Sequence, residues 1–98
     1  MLLSWFNAKD AHEFGGELAQ FFIGQMPLDR PSKDKKFATK TQNLLLQMDR
    51  RVQQFKASHK LNIYTRARLG NQFKWTLKDA GYDDAYLEEL TEWLVKRL

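Results

Sequence analysis

The chain predicts an all-α fold: one compact domain of four helices, organised around one long central helix. Three observations carry that expectation. No segment alternates apolar and polar residues with the period of two that a half-buried strand needs. Apolar residues recur instead at steps of three and four, broken at a few short stretches of turn-formers. The run from Asp34 to Lys60 has neither Pro nor Gly and holds a single apolar stripe throughout. Phe37, Thr41, Leu44, Leu45, Met48, Val52, Phe55 and His59 share that stripe. At 1.5 Å per residue such a helix is roughly 40 Å long.

Each element follows from local chemistry. Asn7 is a suitable N-cap, with Asp10 and Glu13 near the positive helix end, so the first helix is expected over about 8–25. Ala11, Phe14, Leu18, Phe21 and Phe22 form its core stripe, and Trp5 and Phe6 are placed to fold back over its first turn. Gly15-Gly16 costs a helix interior on the order of 1 kcal/mol per glycine. Close approach of a second helix at Gly15 is the expected compensation, with a kink as the alternative. Two prolines, Pro27 and Pro31, end this segment, and Ser32 or Asp34 can cap the long helix over 34–60. Asn62 caps a third helix over 63–79, with Leu69, Phe73, Thr76, Leu77 and Ala80 inward and Gly81 as its terminator. Asp83 caps a fourth over 84–97, with Tyr86, Leu87, Leu90, Trp93, Leu94 and Leu98 inward. Short connections make an antiparallel or an orthogonal bundle, and periodicity does not choose between them.

Composition sets the outer bounds. Ninety-eight residues, 43% apolar and 13% aromatic, suit a single packed domain spanning 1–98. Without cysteine there are no disulfides and no thiolate metal sites. The apolar opening lacks a basic n-region, and no run approaches a membrane span, so a cytoplasmic protein is expected. The net charge of +4 is unevenly spread. Residues 1–29 carry one lysine against four carboxylates, and residues 79–98 two cations against six. Residues 30–78 carry thirteen Lys and Arg against two carboxylates. A basic middle between acidic ends reads first as ends folded against the middle, and second as a basic face for an acidic partner.

Catalytic chemistry finds little footing. His12 and His59 stand far apart in sequence, no metalloprotease or nucleophile-elbow motif is present, and Glu88, Glu89 and Glu92 fit the solvated face of an amphipathic helix. Gly15-Gly16 follows no strand, so it is no phosphate loop. His59, on an apolar stripe near a helix C-terminus, reads as structural. No enzyme activity, no cofactor and no metal are expected.

The third helix carries the richer pattern. Opposite its core face Tyr64, Arg68, Asn71, Trp75 and Lys78 line up at steps of four, three, four and three, with Lys74 beside them. Rings interleaved with cations offer stacking and phosphate contacts, and Asn71 could read a base edge. The ordinary expectation is plainer: tryptophans in a domain this small serve the core, so Trp75 and Tyr64 pack beneath Leu2, Leu3, Trp5 and Phe6 or the fourth helix. Two residues break the pattern. Arg66 shares the side of Phe73 and Leu77, so it should either snorkel to water or pair with an acid, Glu89 or Glu92. Leu46 sits on the polar back of the long helix, and with Leu2, Leu3, Trp5 and Phe6 it is a candidate homodimer contact. The functional expectation is a non-enzymatic protein-interaction or self-associating module. The alternative is a nucleic-acid-binding protein using the basic middle and the third helix.

Overall fold

The computed structural model describes the backbone of residues 2–26 and 35–98 and the side chains of residues 8–26 and 41–98. Four helices make up the domain: α1 (Leu2–Gln25), α2 (Lys35–Ser58), α3 (Ile63–Ala80) and α4 (Asp84–Arg97). The described residues hold no strand. The all-α four-helix expectation is met, and the last three helices begin and end within two residues of their expected bounds.

The first helix differs at its start. It is already under way at Leu2, so Asn7 is an interior residue and caps nothing. Leu2 to Phe6 contain no Pro or Gly, and an N-cap side chain acts only where the preceding backbone has left the helix. The other expected ends hold. The Asn62 side chain accepts from the Thr65 amide at 2.8 Å, and the Thr65 hydroxyl oxygen accepts from the Asn62 amide at 2.8 Å, a complete capping box. Gly81 ends α3 at φ 104°, a left-handed conformation that favours glycine. The Asp83 carboxylate accepts from the Ala85 amide at 3.1 Å and starts α4.

Contacts between helices settle the direction of packing. Asp10 meets His59, Phe14 meets Phe55 and Phe21 meets Arg51, so α1 and α2 run antiparallel. Gly70 faces Val95 and Lys74 meets Glu88, so α3 and α4 are antiparallel too. Helices α1 and α3 run parallel, Gly15 against Leu69 and Gly16 against Gln72, and they are the most closely packed pair. Ala11, Gly15 and Ala19 repeat every four residues along α1, as Thr65, Leu69, Phe73 and Leu77 do along α3, and all seven are buried. Small side chains on one ridge let the larger ridge of the other helix approach closely.

Helix α2 is 24 residues long, as α1 is, and it covers this pair instead of standing at its centre. It does so through Leu44, Met48 and Val52, all buried in one core with Leu18, Phe22, Leu69, Phe73, Leu87 and Leu94. Tyr82, just past α3, closes the far end. Its ring meets Phe22 edge-on at 5.6 Å, and its hydroxyl donates to the Met26 carbonyl at 2.9 Å. Burial raises the Tyr82 phenol above its ordinary pKa. The Tyr86 phenol is raised as well, by burial first and then by the neighbouring Tyr82 and Glu89 charges.

Candidate functional site

The rotation of α3 about its axis is fixed by what it buries. With Leu69, Phe73 and Leu77 turned inward, residues about half a turn away must face outward. Tyr64, Arg68, Asn71, Trp75 and Lys78 are all exposed, and they form one stripe along the helix. Tyr64 keeps 59% of its surface and Trp75 54%. The Lys78 ammonium stands over the Trp75 ring, 5.3 Å from its centroid. Lys74 lies at the edge of the stripe and is held by Glu88 of α4. Ile63, at the head of the helix, is 86% exposed.

One expectation is corrected here. Trp75 and Tyr64 stay more than half exposed instead of joining the core. Helical phase places them opposite the core, and phase outweighs the general tendency of tryptophan to be buried. Arg66 is exposed, the snorkelling alternative of its two expected fates, and of the two acids named for it Glu92 pairs with Lys96 at 3.3 Å. Thr65 takes the buried position in the first turn of α3, and Arg66, one residue on, reaches water.

The stripe can offer an incoming molecule two exposed rings, one amide and two cations, of which Lys78 rests over Trp75. It contains no carboxylate, Asp79 following immediately after Lys78. The acidic helices leave it open, since all five of its side chains are exposed, and Glu88 of α4 reaches only its edge at Lys74.

Elsewhere the basic middle is partly engaged. The Arg51 guanidinium stacks over Phe21 at 4.0 Å, and the Lys56 ammonium donates to the Arg97 carbonyl at 2.9 Å. Arg97 stands over Trp93 at 4.6 Å and lies 3.9 Å from Asp49.

A second constellation joins α1 to the end of α2, and sequence reasoning missed it. The rings of Phe14 and Phe55 stack at 4.3 Å, and that of His59 stacks on Phe55 at 4.1 Å. His59 Nε2 lies 3.2 Å from Asp10 Oδ2, and Nδ1 lies 2.9 Å from Ser58 Oγ and 3.1 Å from the Phe55 carbonyl oxygen. Ser58, His59 and Asp10 thus stand in hydrogen-bonded order. The Ser58 hydroxyl, however, sits 3.2–3.3 Å from the carbonyls of Phe55 and Gln54. A hydroxyl turned onto helix carbonyls is a closure of the helix end rather than an activated nucleophile. The one sequence hint was His59 itself, placed on an apolar stripe.

Leu46, the candidate oligomer contact within the described side chains, is 60% exposed. It lines a groove of about 320 Å³ between α2 and α4 with Leu45, Asp49, Trp93 and Arg97. The side chains of Leu2, Leu3, Trp5 and Phe6 lie outside the described residues. Among the described residues no group of three or more His, Cys, Asp or Glu could hold a metal ion, and no helix is long and apolar enough to cross a membrane. The fold and this surface define a small four-helix domain with an exposed aromatic and cationic stripe. Comparison with protein families, curated proteins and solved structures found no match to the chain.

Proposed function

We propose that the protein is a non-enzymatic binding module that docks a partner along the outer face of α3. The observation that carries this reading is the exposure of Trp75 and Tyr64 on a stripe with Arg68 and Lys78. Exposed aromatic and arginine side chains are the residue types that anchor interfaces. The charge of the face favours a negatively charged partner. Two copies docked through this stripe would set Arg68 and Lys78 against one another with no acid between them, and juxtaposed like charges oppose association.

A second reading keeps self-association, through a different surface. Leu46 and Leu45 beside Trp93 form an apolar groove between α2 and α4, rimmed by Asp49 and Arg97. A twofold contact there could place the acid of one copy against the base of the other.

Sedimentation at increasing protein concentration, together with titration of tryptophan fluorescence by polyglutamate and by oligonucleotides at low salt, tests both readings. Docking on α3 predicts binding of an anionic polymer that Arg68→Gln with Lys78→Gln weakens. Self-association predicts a dimer sensitive to Leu46→Glu and indifferent to the α3 changes. A monomer that binds no anionic polymer would overturn both.

A further inference from the structure

Resting on that reading of α3 as the docking face, we infer that the partner is single-stranded nucleic acid. The argument starts from the order of groups along the stripe. Tyr64, Arg68, Asn71, Trp75 and Lys78 alternate ring, cation, amide, ring, cation. Tyr64 and Trp75 are eleven residues apart, roughly 16 Å along the axis at 1.5 Å per residue. Arg68 lies between them and Lys78 beyond. An extended strand laid along the helix therefore meets a ring, a cation, a second ring and a second cation in turn.

Each group suits an unpaired strand better than its competitors. In a duplex the base faces are already stacked on one another, so exposed rings gain nothing from them. In a single strand the faces are free, and stacking on an aromatic ring tolerates any sequence. An acidic peptide would satisfy Arg68 and Lys78 but has no flat faces for Tyr64 and Trp75. The Asn71 amide, between Arg68 and Trp75, can donate and accept at a base edge. The flanking charge agrees: Arg66 is exposed in the first turn of α3 and Lys74 borders the stripe, although Glu88 holds it. The nearest carboxylate on the helix itself is Asp79, at the end of the stripe after Lys78.

The test is fluorescence anisotropy with a labelled oligothymidylate of about 20 nucleotides. An abasic strand of equal length, a duplex and a polyglutamate peptide serve as comparisons. The thymidylate strand should bind more tightly than the abasic one by about 5- to 150-fold, the worth of one stacked base. Trp75→Ala should shrink that difference, and Tyr64→Ala with Trp75→Ala should remove it, while the Trp75→Ala melting temperature stays in place. Neutralising two to four phosphates predicts a loss of about 7- to 50-fold between 50 and 200 mM salt, and Arg68→Gln with Lys78→Gln should flatten it. Equal binding of the thymidylate and abasic strands, or tighter binding of the duplex, would overturn the inference. Binding of polyglutamate alone, weakened by the Arg68 and Lys78 changes, would overturn it while leaving α3 as the docking face. Binding of neither polymer at low salt would overturn both.

Discussion

Gly15 of α1 rests directly on the main chain of Leu69 in α3. A Cβ added at Gly15 would collide with the Leu69 carbonyl oxygen and stand 3.2 Å from its carbonyl carbon. Neither helix can yield without shifting backbone, so the glycine is required by contact between chains of peptide groups and not by its dihedral freedom.

Gly15→Ala therefore sets two effects against each other. Alanine improves helix propensity by about 1 kcal/mol, whereas overpacking costs typically 1–3 kcal/mol and more when backbone must move. The clash should win, with a net loss of up to about 2 kcal/mol. In a domain of this size a loss of about 2 kcal/mol lowers the melting temperature by about 8–16 °C, and a smaller loss lowers it in proportion. Gly24, in the same helix, has open space where its Cβ would be. Gly24→Ala should hold or raise the midpoint, and paired melts of the two variants check both signs.

The ring stack of Phe14, Phe55 and His59 ties the first half of α1 to the end of α2. The Phe14 and Phe55 planes are inclined by 10° and those of Phe55 and His59 by 9°. A double-mutant cycle on Phe14→Leu and Phe55→Leu should give a coupling energy of about 0.5–1.5 kcal/mol beyond the loss of buried area. The Asp10 carboxylate is 46% exposed, so Asp10→Asn should cost no more than about 1 kcal/mol. A larger loss for Asp10→Asn than for Phe55→Leu would mean that the contact between Asp10 and His59, not the stack, joins the helices.

Tyr82 ties stability to alkaline pH. Burial raises its phenol, and that of Tyr86, so the folded protein holds these protons to higher pH than the unfolded chain does. That stability is complete below the ordinary tyrosine pKa of about 10 and falls as pH rises through the folded-state value. Tyr82→Phe removes the hydroxyl and its bond to the Met26 carbonyl. It should cost about 1–2 kcal/mol at neutral pH and flatten the decline in stability above pH 10. Denaturant midpoints at neutral pH and across the alkaline limb measure both parts.

Much of this fold was legible because it depends on local chemistry. Asn62, Gly81 and Asp83 act on backbone groups within a few residues, and their types alone announced two of the helices. Asn7 misled because its value as a cap depends on the residues before it, and Leu2 to Phe6 carry on as helix. The closeness of α1 and α3 was written in Gly15, and more fully in the four-residue step of Ala11, Gly15 and Ala19. The pairing of His59 with Asp10 was not legible. It joins residues 49 apart in sequence, and nothing in either local pattern names the other.

Trp75 shows which kind of sequence argument prevails when two disagree. Composition argued that a tryptophan in 98 residues belongs to the core, while helical phase set it opposite Phe73 and Leu77. The structure follows phase, and the consequence can be measured with two substitutions two residues apart. Phe73 is fully buried in the central cluster, so Phe73→Ala should lose about 3–5 kcal/mol. That is a large share of the 5–15 kcal/mol that holds a typical domain folded. Trp75 touches water over half its surface. Apart from the Lys78 ammonium over its ring, a contact worth about 0.5–1 kcal/mol at exposed sites, it has little to lose. Trp75→Ala should therefore stay within about 1 kcal/mol of the parent, although it removes the larger side chain. Thermal melts of the two variants decide the matter. A Trp75→Ala midpoint as low as that of Phe73→Ala would return Trp75 to the core and leave α3 without its docking face.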